Sequence, residues 1–386
     1  MGANELIVLT TGLVILAATG WAYYISRDAL HPLTILALPM LYIYTFRPLV
    51  LVNAGIIRSY FTDSQWNSVV FFRLAAVAAF CAGCLYGVGR LKWQRRRSPL
   101  AYQIPFNRSR MLMVSCILGF VGLAVFWYML IFERGGFVQA YSTGYGGVNS
   151  ASGYILQSYY FVMPAIVLLA MAVQGRPFQL MHLILLGLFA SPMLIQGFLG
   201  ARRGPTFALG LVLFLSWHLF SRRRPSLRKV LFMVGVLGSI AVFFLVFRGD
   251  IYLGSKFDFR MERLTEQFSP STDQSGEEVV YSSGLFLVAQ ECGRFNWGSR
   301  WVAQLLVRAI PRQLWPTKYE DLGFGWVDEQ TSSGGYTNSE WLSAVGFPPA
   351  RGSAAGFDVS WFLDFSWFGC FGCYLFGMFF AYLWLK

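Results

Sequence analysis

Nine stretches of 15–23 mostly apolar residues run through this chain, and they constrain its fold more than any other feature. They cover residues 6–25, 33–52, 67–89, 111–132, 158–174, 179–199, 206–220, 230–247 and 366–385. A span across a bilayer needs about 20 such residues. In hydrocarbon the backbone amides must be satisfied within the segment, so each stretch is expected to be a helix. A transmembrane barrel would instead show alternating segments of about ten residues. Composition agrees, with 56% of the 386 residues hydrophobic and only 13% charged. A soluble domain carries roughly a quarter charged residues, too many to reconcile with this chain. The first stretch is longer than the core of a signal peptide, and no basic residue precedes it.

The expected fold class is therefore all-α: a polytopic membrane bundle of about nine transmembrane helices with one long non-cytoplasmic loop. Residues 1–247 form an eight-helix bundle, 248–364 the loop, and 365–386 the C-terminal transmembrane helix. Orientation follows from the basic clusters. Arg90, Lys92, Arg95, Arg96, Arg97, Arg108 and Arg110 follow the third span, and Arg222, Arg223, Arg224, Arg228 and Lys229 follow the seventh, with no acid among them. Arg176 lies in the turn after the fifth. Strict alternation puts all three clusters on one side, which the positive-inside rule makes cytoplasmic. The N-terminus is then outside and Lys386 inside. Within the loop, Leu285–Ala289 and Trp301–Ile310 read as amphipathic helices lying on the membrane or against the bundle. The net charge of +12 resides in these topology signals and in the loop, a pattern that excludes nucleic acid as a partner.

Arginines on the translocated side run against that charge bias. Arg202 and Arg203 sit in the turn Gly200–Pro205, Arg248 ends the eighth span, and Arg260, Arg263, Arg294, Arg300, Arg308, Arg312, Lys318 and Arg351 lie in the loop. One reading is an anionic ligand at the membrane surface, because guanidinium binds phosphate oxygens through paired hydrogen bonds. The plainer reading pairs each arginine with loop acids such as Asp250, Asp258, Glu262 and Glu266, or with lipid headgroups. In Ile310–Lys318, Pro311 and Pro316 fix a non-helical turn from which Arg312 and Lys318 project; an ordinary interfacial elbow is the alternative. Arg47 and Arg73 lie inside apolar spans near their outer ends, where snorkelling is the ordinary reading.

The three histidines, His31, His182 and His218, all lie away from the outer loops. With no Walker loop and no clustered acid motif either, chemistry on the outer face is expected to use neither metal nor nucleotide, and no cofactor is expected. A carboxylate is then the expected base, and Asp250, Glu320, Asp321, Asp328, Glu340, Asp358 and Asp364 all remain candidates. Cys81 and Cys84, like Cys370 and Cys373, have C-x2-C spacing but fall inside apolar runs, where cysteine packs as a small hydrophobe.

Three features together resemble the O-antigen (oligosaccharide repeat-unit, Wzy-type) polymerases. They are the Gly200-Ala201-Arg202-Arg203 turn leading into a span, the segment Ile310-Pro311-Arg312-Gln313-Leu314-Trp315-Pro316-Thr317-Lys318, and the small-residue stretch from Ser353 into a glycine-rich last helix. The layout of spans agrees over most of the chain. The resemblance implies a metal-independent glycosyltransferase on the periplasmic face of a bacterial inner membrane. It would polymerise undecaprenyl-pyrophosphate-linked oligosaccharide repeat units, with membrane lipid, a chain-length regulator and a flippase as partners. By position it implies Arg203 and Arg312 as catalytic residues and Arg202 and Lys318 as substrate contacts; Arg248 and Arg351 join the expected substrate contacts as outer-face arginines. A chain without an outer-loop histidine departs from the related ligases that attach glycan to a lipid core. Two other classes stay open. A lipid-linked oligosaccharide flippase would show charges or helix breaks near mid-membrane. A non-catalytic subunit of an envelope complex would show outer arginines without an acid–base partner.

Overall fold

The computed structural model describes residues 2–95, 107–142, 158–175, 177, 179–200, 203–221, 226–247, 278–308, 310, 314–324, 335–349 and 355–385. All regular structure among them is helical. The helices are α1 (Ala3–Ser26), α2 (Pro32–Leu41), α3 (Arg47–Asn53), α4 (Ile56–Tyr60), α5 (Asp63–Arg95), α6 (Arg108–Tyr128), α7 (Phe137–Ser142), α8 (Val162–Val173) and α9 (Leu180–Phe198). They continue with α10 (Arg203–Ser221), α11 (Leu227–Phe247), α12 (Glu278–Cys292), α13 (Ser299–Val302), α14 (Lys318–Asp321), α15 (Asn338–Val345), α16 (Phe357–Phe365) and α17 (Gly369–Leu385).

Six helical stretches among the described residues are long and apolar enough to cross a membrane: Asn4–Ser26, Pro32–Asn53, Asp63–Gly87, Arg108–Phe132, Leu180–Phe198 and Phe357–Trp384. The expected spans at 158–174 and 206–220 correspond to shorter apolar helices, Ser158–Val173 and Gly204–His218. The outward faces are apolar as well: α1 exposes Leu6, Leu13, Leu16 and Trp21, and α6 exposes Met113, Ile117 and Phe120. Contiguous apolar surface of this kind suits lipid rather than water.

The chain divides into two compact units. One comprises 102–267 and 308–316. Its core gathers Phe126, Leu130, Tyr141, Ile166, Phe189 and Met193 from α6 to α9. The Ser115 hydroxyl ties α6 to α8 by donating to the Ala165 carbonyl at 2.7 Å.

The other unit comprises 1–101, 268–307 and 317–386. It thus joins parts of the expected bundle, loop and C-terminal helix. Its spine is the packing of α5 on α17, which run parallel. Gly83 faces Tyr374 and Met378, Gly87 faces Ala381, and Gly377 faces Phe80 and Cys84. The missing side chains let the two backbones approach closely, so the Cys84 thiol reaches the Gly377 carbonyl at 3.4 Å. All six cysteines are free, and Cys81, Cys84 and Cys373 are buried, as expected for packing residues.

Segment 357–384 is not a single rod. Ser366 adopts φ 54°, ψ −142° and reverses the chain. The indole of Trp361 then lies over Gly372 and within 6.3 Å of the Phe376 ring, so α16 folds back along α17 as a helical hairpin. Only α17 covers the expected span 366–385.

Against this hairpin packs α12, whose residues Val279–Ala289 are all buried. Of the two placements expected for Leu285–Ala289, on the membrane or against the bundle, the piece takes the second, buried on all sides rather than on one amphipathic face. Its all-round apolar and small-residue composition explains why: Tyr281 stacks on Trp341 at 5.5 Å, and Phe286 meets Phe362 at 4.1 Å.

The second span is interrupted too. Pro39 and Pro48 lack the N–H groups that would reach Ile35 and Tyr44 one turn earlier. Between them the helix widens into a π-turn over Tyr42–Phe46, with Arg47 N–H bonded to the Tyr42 carbonyl.

Candidate functional site

Among the arginines and lysine expected to bind an anion, Arg202, Arg248, Arg312 and Arg351 lie outside the described residues. Arg203 is the first residue of α10. Lys318 does not project outward as expected. Its side chain is 1% exposed, its Nζ donates to the Val307 carbonyl at 2.9 Å, and it lies 4.9 Å from the Tyr319 ring centroid. Thr317 and α14 turn it inward, where that carbonyl satisfies the ammonium.

The carboxylate candidates separate by environment. Glu340 accepts from the Thr337 backbone N–H at 2.7 Å and from Arg294 at 3.2 Å, which closes a capping box on α15. The Thr337 backbone N–H, followed by its hydroxyl and by Arg294, holds the Glu340 carboxyl below its ordinary range. Asp321 accepts from the Thr317 hydroxyl at 2.8 Å. Both are thus in local structural use. Asp358 is different, because it lines a cavity.

The cavity measures about 400 Å3, within the range of small-molecule sites. Its polar lining comes from four places in the chain: Tyr44 on the π-turn with Arg47 beside it, Arg73 on α5, Glu278 and Ser282 on α12, and Asp358 on α16. The remaining wall is apolar, with Leu36 and Met40 of α2 and Phe376 and Phe380 of α17. Tyr44 and Asp358 are placed by the irregularities already described. The π-turn sets Tyr44, which is 6% exposed, so that its hydroxyl donates to Asp358 Oδ1 at 3.0 Å. The hairpin brings Asp358 alongside the middle of α17, in the first turn of α16, where the helix dipole favours a negative charge. Gly356, at φ 79°, lets the chain enter that turn: a Cβ there would stand 2.8 Å from Asp358 Oδ1.

Arg73 is the eleventh residue of α5, about 15 Å along it. Its Nη2 donates to the Ser282 hydroxyl at 2.5 Å and lies 3.5 Å from the Val279 carbonyl. The Trp66 ring lies 6.0 Å from its guanidinium. Its Nε faces Asp358 Oδ2 at 3.6 Å, within ion-pair range but too far for a hydrogen bond. Neither of those two atoms has a hydrogen-bond partner. The side chains are 8% and 3% exposed, so this is a buried and loosely closed ion pair.

Snorkelling is therefore not what Arg73 does; its guanidinium stays inside against a carboxylate. A local signal marks the difference. Thr62 and Gln65 form a reciprocal cap, with Thr62 N–H on Gln65 Oε1 at 2.9 Å and Gln65 N–H on Thr62 Oγ1 at 3.3 Å. This T-x-x-Q box starts the helix at Asp63, four residues before the expected span, and so moves Arg73 to the middle of the apolar stretch Asp63–Gly87. Tyr44 is marked only by the prolines at 39 and 48 that bracket its turn, and Asp358 is one of seven carboxylate candidates.

The arrangement can bind an anion through Arg73 and an apolar chain along the Leu36–Phe380 wall. Among the described residues, no group of three His, Cys, Asp or Glu side chains is placed to hold a metal ion. Comparison with protein-family models, with curated proteins and with solved structures finds no match for the chain.

Proposed function

We propose that the protein is a membrane glycosyltransferase that polymerises lipid-pyrophosphate-linked oligosaccharide units, and that the cavity at Arg73 receives the lipid pyrophosphate. The observation that carries this reading is a buried guanidinium beside an apolar cavity, within helices that suit a bilayer. An amphiphile with an anionic head and a hydrocarbon tail matches both parts of that lining. In the transfer, an acceptor hydroxyl attacks C1 of the donor sugar and the C1–O bond to pyrophosphate breaks. The hydroxyl proton passes to a base, and the lipid pyrophosphate leaves with its charge held by Arg73 and Arg47. Asp358 serves as the counter-ion that keeps Arg73 in place while the site is empty.

The same reading takes nine spans, a periplasmic loop over 248–364, a periplasmic N-terminus and a bacterial inner-membrane location. It keeps Arg203 and Arg312 as catalytic arginines, and Arg202, Arg248 and Arg351 as substrate contacts; Lys318, buried on the Val307 carbonyl, leaves that set. Undecaprenyl-pyrophosphate-linked oligosaccharide is the substrate, with a chain-length regulator and a flippase as partners.

One observation favours a second reading, a flippase for the same lipid. Tyr44 and Arg73 lie midway along their apolar stretches, and the chain breaks at Tyr42–Phe46 and at Ser366, a pattern of transporter sites. Surface polysaccharide from a host carrying Arg73→Gln separates the two on a gel. Single capped units without long chains are expected of a polymerase. Loss of every outer-face unit would point to the flippase, and an unchanged ladder would refute a role for the cavity. Arg203→Ala and Arg312→Ala, run alongside, test the outer arginines on the same terms.

A further inference from the structure

The Arg73–Asp358 pair is more open than its burial calls for. A charge-assisted N–H···O contact closes to about 2.7–2.9 Å where nothing holds the partners apart. Here Nε and Oδ2 stand 3.6 Å apart and neither makes a hydrogen bond. Each ion is held from elsewhere: Ser282 of α12 takes the guanidinium, and Tyr44 of the π-turn takes the carboxylate. Both border the cavity, so an entering anion can take the unused Nε–H of Arg73 without displacing either support.

The consequence for Asp358 follows from charge balance. Its side chain is 3% exposed, and water cannot replace the counter-charge it would lose. The groups facing it are Tyr44 from the π-turn, Arg73 from α5, and Cys370 and Cys373 from α17, with Arg47 of α3 and Glu278 of α12 around the same cavity. The phenol and thiols carry no compensating positive charge. Glu278 is exposed to water, whereas the Asp358 carboxylate is buried beside the guanidinium. Asp358 is the group left to neutralise.

We propose that an anionic headgroup entering the cavity takes Arg73 from Asp358, and that Asp358 takes up one proton as it does so, making anion binding and proton binding a single coupled event. This rests on the anionic-amphiphile reading of the cavity given above. It makes affinity fall as pH rises, by up to tenfold per pH unit where the proton must be drawn from solution.

Calorimetry on the full chain in detergent tests it. Geranyl sulfonate is the probe, since its headgroup carries one charge at every pH used, and geraniol is the uncharged control. Titration in two buffers of different ionisation heat gives the protons bound per anion. About one proton is expected for the wild type at pH 7.5, and none for Asp358→Asn, which should still bind and lose the pH dependence. Should Asp358→Asn fail to fold, the wild-type value decides alone. Saturable binding with no proton uptake would overturn the coupling and leave the site reading intact. Absence of saturable sulfonate binding between pH 5 and 8 would overturn both.

Discussion

Removing one ion of the buried pair should harm the fold far more than removing both. Asp358→Leu leaves the Arg73 guanidinium, whose side chain is 8% exposed, with a hydroxyl and a distant carbonyl but no counter-charge. Arg73→Met leaves the carboxylate with the Tyr44 hydroxyl and the backbone N–H groups of its own helix turn but no counter-charge. Breaking a buried pair from one side destabilises by about 3–5 kcal/mol, since the remaining charge stays uncompensated. Asp358→Leu also strands the Tyr44 hydroxyl, adding about 1–3 kcal/mol. In the double variant Arg73→Met/Asp358→Leu both charges are gone, and the orphaned Tyr44 hydroxyl accounts for about 1–3 kcal/mol of what remains. Adding Tyr44→Phe should return stability close to that of the wild type. The double variant should thus be more stable than either single, with a coupling of roughly 3 kcal/mol or more. Unfolding by sodium dodecyl sulfate in mixed micelles, followed through tryptophan fluorescence, measures each corner of the cycle. Single effects that simply add, with coupling below about 1 kcal/mol, would mean the two charges do not compensate each other.

Three further outcomes follow from the same unit. Gly377→Val puts branched carbons against the Phe80 carbonyl and the Cys84 amide, so α5 and α17 must separate; a loss of about 1–3 kcal/mol or more is expected in the same assay, while Gly20→Val, with open space around it, should change little. His31 is 0% exposed, caps α2 through Nδ1 and meets the Trp384 ring at 4.8 Å, and burial pushes it down to about 4 against the raising effect of Asp28. The unfolded chain therefore binds the proton first, so stability is full above about 6.5 and falls by about 3 kcal/mol as pH drops towards 4; His31→Asn, which keeps the cap, should flatten that arm of a stability–pH curve. Glu340 has a lowered folded value, so its contribution is present above the ordinary carboxylate range and lost as pH falls through the folded value; amide exchange across Asn338–Val345 should quicken in acid, and Glu340→Gln should remove that dependence.

What the sequence made legible was the apolar period and its length. It places α1, α5, α6, α9 and α17 at the expected spans. What it did not disclose depends on contacts distant in sequence. Leu285–Ala289 is too short to span, and its pattern leaves open whether it lies on the membrane or against the bundle until Trp341, Phe347 and Phe362 are known to cover its helix. The stretch from Phe357 to Phe365 is as apolar as a span, and only the reversal at Ser366 makes it a separate leg carrying Asp358 inward. Some local signals were present and point the same way. The Thr62–Gln65 box fixes where Arg73 falls along α5, and the prolines at 39 and 48 bracket the turn that aims Tyr44.

A buried ion pair is weak evidence of a stabilising design, because apolar residues of similar volume often serve the fold as well. Two roles then compete for Arg73 and Asp358. As a pin, the pair would fix the register of α5, α16 and the π-turn, and selection would close it into full hydrogen bonds. As a ligand site, it would keep hydrogen-bonding capacity unused and face open space. The 3.6 Å gap, the two unpartnered atoms and the adjoining cavity match the second description. The variant Tyr44→Phe/Arg73→Met/Asp358→Leu puts this to a direct test, since it is expected to fold as well as the wild type. A folded triple variant that no longer binds geranyl sulfonate and no longer supports long surface polysaccharide assigns the pair to ligand binding. If it folds and retains both properties, the ligand role is refuted. If it loses its fold while the wild type binds no anion, the pair is a register pin, and the looseness of its geometry has no functional meaning.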